Sequence, residues 1–304
     1  MSGASSRTVT VRAPATSANL GPGFDALGLA LELCDEIEVT AEFGGLQQPV
    51  VVDVEGPGAS GVPRDEGHLV VRAMRAAFAE LGEQPSALRL TCRNALPHGR
   101  GLGSSAAAIV AGVAAAAELA EPGKLDRQNM LELAARLEGH PDNVAACLLG
   151  GLTVAWSNSA GTASATRADV HADVTPVVCI PPEAVSTETA RGLLPATVSH
   201  QDAAINAARA ALLVQALTRQ PELLLVATED RLHQAYREPA MPQTIALIER
   251  LRADGLAAVV SGAGPSVLVL GAAVDVGQVR SHAPDWDVRA LPVRRTGVAV
   301  LRTA

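Results

Sequence analysis

Apolar and polar residues alternate over Thr8–Arg12, Ile37–Phe43 and Val50–Val54, the two-residue period of half-buried strands. From His68 to Leu81 the spacing becomes helical and stops before Gly82; Leu88–Cys92 is again strand-like. Ser105–Ala120 reads as a helix of small residues able to pack unusually close to a sheet. A further helix runs from Arg127 to about Leu137, and a strand from Leu152 to Trp156. Between Asn158 and Asp173 the chain turns polar, small and irregular, which predicts a boundary dividing it into 1–165 and 166–304. Beyond it the pattern predicts strands at Val174–Ile180, Ala257–Val260, Ser266–Leu270, Val288–Leu291 and Gly297–Leu301. Helices are predicted at Gln201–Thr218, Leu223–His233 and Thr244–Ala253. Strands and helices mix without a regular βαβ rhythm, so the predicted class is α+β.

One stretch interrupts the pattern with chemistry. Pro97-His98-Gly99-Arg100-Gly101-Leu102-Gly103-Ser104-Ser105-Ala106-Ala107 places three alternate glycines and two serines before the alanine-rich helix. Glycine admits left-handed backbone and close approach, and Ser104 or Ser105 is a suitable N-cap. A bent loop feeding a helix N-terminus offers N–H donors and partial positive charge to a phosphate, although a plain strand-to-helix turn fits the same residues. The glycine spacing fits neither a Walker loop nor a dinucleotide fingerprint. Lys124 is the only lysine in the chain, so phosphoryl chemistry here must rest on amides, hydroxyls, arginines and a metal ion.

Composition narrows the partners. A net charge of −8 over 304 residues argues against a nucleic-acid surface. Aromatic residues are only 2%, so Ala, Val and Leu must build the core. Cys34, Cys92, Cys147 and Cys179 are widely spaced and form no metal motif, which suits free thiols in a reducing compartment. With no apolar leader and no membrane-length apolar run, a cytoplasmic protein without membrane partners is expected.

Three further clusters carry polar groups among turn formers. Pro14–Asp25 offers Asn19 and Asp25, though an Asx turn would also account for them. Glu138-Gly139-His140-Pro141-Asp142-Asn143 gathers two carboxylates, an imidazole and an amide at a helix end. They suit magnesium beside a triphosphate or proton removal from a hydroxyl; a solvated helix cap is the plainer alternative. Ser261-Gly262-Ala263-Gly264-Pro265-Ser266 sits between two short strands and fits a hairpin turn.

These four clusters, in this order, resemble the GHMP small-molecule kinases, and within them the homoserine kinase branch, from Pro14 to Arg302. The resemblance implies a ribosomal-protein-S5-domain-2-like nucleotide-binding domain over 1–165 and a ferredoxin-like domain over 166–304. It implies ATP on the Pro97–Ala107 loop, with His68 at the adenine, where the family often has Asn. Mg2+ would be held by Glu138 and Ser105, with Glu132 as the fallback ligand. L-Homoserine would be met by Asn19, Asp25, His140, Asn143, Thr187, Arg191, Arg237 and Gly264. Asp142 would act as the base or only organise its loop. Arginine suits the acceptor's carboxylate and Asp25 its ammonium group, which a mevalonate-type acceptor lacks. Another small hydroxy acid (mevalonate- or shikimate-type) as acceptor, or a non-catalytic nucleotide sensor, is the alternative, and a homodimer is compatible with the resemblance.

Overall fold

The computed structural model describes residues 5–120 and 123–302. The chain opens with two long antiparallel strands, β1 (Ser5–Ala18) and β2 (Leu27–Phe43), whose register shifts between Pro14 and Ala15. Then come β3 (Val51–Glu55), α1 (Leu69–Leu81), β4 (Ala87–Arg93), α2 (Ser104–Leu119), α3 (Arg127–Glu138), α4 (Asp142–Leu149), β5 (Leu152–Ser157) and β6 (Ala163–Ala168). After β7 (Val177–Ile180) follow α5 (Thr187–Gly192), α6 (His200–Thr218), α7 (Leu224–Ala227) and α8 (Pro242–Ala253). The chain finishes with β8 (Ala257–Val260), β9 (Val267–Leu270), α9 (Val276–His282), β10 (Asp287–Ala290) and β11 (Ala299–Arg302).

The strands form two sheets. The first has the order β11-β1-β2-β4-β3, with β5 and β6 continuing from the early half of β2; the second has the order β10-β7-β9-β8. The α+β expectation holds. The expected cut at residue 165 falls inside β6, and β11 pairs with β1, so the first sheet takes a strand from the C-terminal half. The stretch expected to be irregular is largely a β5–β6 hairpin, closed by Asn158 accepting the N–H groups of Ala160 and Thr162.

Both faces of the second sheet are covered, which explains its unbroken apolar runs. Val178, Ile180, Val259, Leu268 and Leu270 join the main core, whereas Val177, Cys179, Ala258, Val260, Val267 and Val269 form a second core with Leu247, Leu251 and Val279. In the main core α2 is buried nearly all round. A methyl on Gly112 would lie 2.5 Å from the Val70 carbonyl oxygen, so α1 as well as the sheet is in close contact with α2.

Four features depart from the sequence expectation for local reasons. β2 begins ten residues earlier than expected, because Leu27–Leu31 pair with β1 and β5 and are buried on both sides. The expected helix Leu223–His233 shrinks to a 3₁₀ turn and α7. There the Asp230 carboxylate accepts the N–H groups of Leu232, His233 and Gln234, a side-chain alternative to the helical ladder. α4 is masked in the sequence by Gly139, which ends α3 at φ 91°, and by Pro141, which restarts the helix. The short α5 and α9 fall where the pattern predicts no helix.

Candidate active site

The glycine loop is built as a left-handed staircase, with φ of 64°, 71° and 69° at Gly99, Gly101 and Gly103. A side chain at Gly101 would strike the Ser261 carbonyl oxygen at 2.2 Å, and one at Gly103 would strike Thr16 Oγ1 at 2.0 Å. Loop and turn are therefore packed backbone to backbone. Ser261 Oγ donates to Gly101 O (2.6 Å), Thr16 N to Leu102 O (3.1 Å) and Gly262 N to Ala18 O (3.1 Å). Three of the four clusters meet at this point. For Gly103→Ala, backbone strain and the Thr16 clash should cost on the order of 2 kcal/mol. Chemical denaturation should show a lower midpoint.

Gly103, not a serine, is the N-cap of α2, and no side chain caps that end. Helix geometry leaves its first N–H groups without internal partners, so they remain available to an anion. Ser105 turns away and donates to Glu138 Oε1 at 2.6 Å. Leu102, Ala106 and Ala107 are buried, so only their backbone can serve a ligand. The Arg100 guanidinium donates to the carbonyls of Pro181 (2.9 Å), His98 (3.1 Å) and Pro182, which fastens the loop to the chain after β7 instead of pointing at a phosphate.

A cavity of about 200 Å3 opens in front of α2. Its walls bring together Asn19, Ser104, Ser105, Glu138, His140, Asp142, Asn143, Thr187, Arg191, Arg237 and Gly264, so the four sequence clusters share one hollow. On the other side of Ser104 and Ser105 lies a second, more apolar cavity of about 260 Å3, lined by His68, Leu69, Ile37, Val62 and His98. His68 Nδ1 is buried there without a hydrogen-bond partner, and burial pushes its imidazole pKa down. Pro97, which lines neither cavity, follows a turn clamped by Asp35, whose Oδ1 accepts the Ala95 and Leu96 N–H groups (2.7 and 2.9 Å). Nothing in the sequence pattern singles out Asp35.

Asp142 is 2% exposed at the start of α4. Its contacts fall on Oδ1: Asn143 N at 2.6 Å, Asn143 Nδ2 at 3.3 Å and His140 Nδ1 at 3.1 Å, the last not aligned as a hydrogen bond. Oδ2 is thus the oxygen available to a ligand. Thr16 donates to Asn143 Oδ1 at 2.7 Å and fixes the amide. The contact with Asp142 raises the His140 pKa, outweighing burial. Burial pushes the Glu138 carboxyl up, an effect only partly offset by Ser105.

Two arginines also line the cavity. Arg191 forks Asp25, with NH2 2.6 Å from Oδ1 and NH1 3.2 Å from Oδ2. Asp25 does not line the cavity, so the carboxylate expected to meet an ammonium group directly instead holds Arg191. Arg237 is 1% exposed, donates to Gly262 O at 2.9 Å and leaves Nε unpartnered. Burial, and then Arg191, lower its pKa to about 10. Two guanidinium groups with spare donors suit an anion.

Glu138 and Ser105 present hard oxygen donors in mutual contact on the cavity wall, which fits magnesium. No group of three or more His, Cys, Asp or Glu side chains among the described residues could hold a metal, so phosphate oxygens would have to complete such a site. Glu132 accepts from Gln128 at 2.8 Å and does not reach the cavity.

The chain matches the family models for the GHMP kinases N terminal domain over 68–151 and the GHMP kinases C terminal over 203–284. It is 56% identical over 299 residues to a homoserine kinase of Streptomyces avermitilis, covering 97% of this chain and 96% of the relative. A homoserine kinase of Clavibacter michiganensis is 53% identical over 276 residues, covering 90% and 85%. Among solved structures, homoserine kinase from Cytophaga hutchinsonii superposes with a TM-score of 0.85 at 26% identity, covering 97% of this chain and 98% of that one. A mevalonate diphosphate decarboxylase from Enterococcus faecalis shares the fold at 16% identity, with a TM-score of 0.69 over 98% and 100% of the two chains.

Proposed function

The chain belongs to the homoserine kinase branch of the GHMP kinases, and from that premise we infer how its cavity transfers the γ-phosphoryl group of ATP to the hydroxyl of L-homoserine. The product is O-phospho-L-homoserine, which places the reaction in threonine biosynthesis. The observation that carries the mechanism is the single hollow in which the free end of α2, the Asp142 carboxylate and the paired arginines converge.

ATP lies with its phosphates on the Gly99–Ser105 backbone and its base in the apolar cavity beside His68, whose unpartnered Nδ1 suits a nucleobase edge. Arg191 and Arg237 would meet the carboxylate of homoserine or of any alternative acceptor; what a mevalonate- or shikimate-type acceptor lacks is the ammonium group. Asn19, His140, Asn143, Thr187 and the Gly264 backbone line the space between. The acceptor's ammonium group faces the Asn19 side of this space. Asp142 Oδ2 accepts the hydroxyl proton as the oxygen attacks phosphorus. The α2 amides stabilise charge on the transferred group, and much of the acceleration comes from this positioning. Glu138 and Ser105 would hold Mg2+, which when bound would neutralise phosphate charge.

Coupled ADP release with homoserine, serine, threonine, mevalonate and shikimate, with and without Mg2+, tests the reading. Turnover confined to homoserine with Mg2+ is expected; turnover of another acceptor alone would refute the substrate, and no ATP consumption would leave only the sensor. We also propose a cytoplasmic location, supported by four unpaired thiols, and among the described residues no helix is long and apolar enough to cross a membrane.

Glu138→Gln should separate stability from activity. The Glu138 pKa is raised in the folded state, so at neutral pH its charge weakens the fold; that penalty is absent below the pKa of a free glutamate and grows as pH rises through the folded value. The variant should therefore melt above the parent at pH 7, the gap should close below about pH 4.3, and Mg2+-dependent turnover should be lost.

A further inference from the structure

Arg191 and Arg237 are like charges close enough for Arg191 to lower the pKa of Arg237, and something must compensate before any anion arrives. The carboxylates of Asp230, Asp25 and Asp142 supply part of that compensation, and the ring of Phe24 is a further surface that both guanidinium groups share. The Arg191 Cζ lies 5.6 Å and the Arg237 Cζ 5.8 Å from its centroid, both within cation–π range. His233 stacks on the same ring, with centroids 5.2 Å apart and an interplanar angle of 28°. His233 is fully buried, and its Nε2 lies 2.8 Å from Gly21 O. Its Nδ1 has no partner, and burial pushes its pKa down to about 4, so the imidazole adds no third cation. Phe24 is not part of the cavity wall and would not touch the acceptor.

The local backbone explains the placement. Asp25, next in sequence, has a left-handed φ of 55°, and its N–H donates to Asn19 Oδ1 at 2.9 Å. The turn thereby presents Phe24 and Asp25 to Arg191 together, one by its ring and one by its carboxylate. Arg237 is likewise held twice, by the Gly262 carbonyl and the ring.

We propose that Phe24, stacked with His233, is the positioning residue of the acceptor-carboxylate site, its ring setting the two guanidinium groups side by side so that both open onto one anion. The proposal rests on the reading of the cavity as the homoserine site. Its alternative is that Phe24 only fills volume.

Phe24→Leu and Phe24→Met keep apolar bulk without the π face, and Phe24→Tyr keeps the face. Removing the ring from beneath both guanidinium groups should raise the KM for homoserine about five- to thirty-fold in the first two variants. The kcat and the KM for ATP should stay within about twofold, and Phe24→Tyr should restore the KM for homoserine. Equal behaviour of the three variants, a parallel loss in kcat and ATP binding, or failure of both apolar variants to fold would overturn the proposal. A second readout needs no turnover. In the unliganded protein the Nε–H resonances of Arg191 and Arg237 should carry upfield ring-current shifts that vanish in Phe24→Leu and persist in Phe24→Tyr. If the parent enzyme fails to phosphorylate homoserine, the substrate reading falls, and these shifts alone then decide whether the ring holds the arginines.

Discussion

Asp142→Asn should lower kcat by two to four decades, the range expected when a positioned general base is removed. The substitution keeps shape, and the amide oxygen can still accept from Asn143 N at the Oδ1 position. Loss is therefore confined to proton acceptance, and the KM for both substrates should change little. The measurement is steady-state ADP release at saturating ATP and homoserine. A fall of under tenfold would remove Asp142 from the base role and leave it as an organiser of the Glu138–Asn143 turn. His140 supplies a cross-check. Its contact with Asp142 raises the imidazole pKa, so activity that depends on an ionised, unneutralised Asp142 should rise as pH increases through the His140 value.

The second large effect is expected at Arg237. Arg237→Met should reduce kcat/KM for homoserine by roughly 30- to 4,000-fold, the equivalent of about 2–5 kcal/mol for a buried carboxylate partner. The KM for ATP should be almost untouched. Unlike most losses at a binding site, this one should leave the unliganded protein no less stable. Burial already disfavours the charge and Arg191 repels it, while a thioether of similar length fills the space. The carbonyl that Arg237 abandons, Gly262 O, still receives Asn19 Nδ2 at 2.9 Å. Thermal melting of the unliganded variant together with acceptor kinetics checks both halves; a large drop in melting temperature would mean that Arg237 is a structural cation.

The sequence carries more of the site than of its geometry. The glycine loop, the Glu138–Asn143 turn and the Ser261–Ser266 turn stand out because glycine and proline mark backbone that ordinary residues cannot adopt, as the φ values at Gly101, Gly103 and Gly264 show. Side-chain direction is less legible. Nothing in the order of residues says that Ser105 turns to Glu138 instead of capping α2, or that Arg100 reaches Pro181. Asp25 looks like a ligand because its partner, Arg191, lies 166 residues away. His233 is lost in a stretch with apparent helical period, where the Asp230 carboxylate outcompetes the helix for backbone donors. In the fold, strands with one wet face can be read, whereas Leu27–Leu31, buried on both sides, shows no alternation to read.

The pairing of β11 with β1 bears on how the molecule comes into being. During synthesis the edge of β1 stays open while the whole second sheet is made, since the residues that cover it, Ala299–Arg302, follow every strand of that sheet. The nascent chain thus exposes an unpaired ladder until β11 emerges, a risk of wrong pairing that ends only when this strand docks.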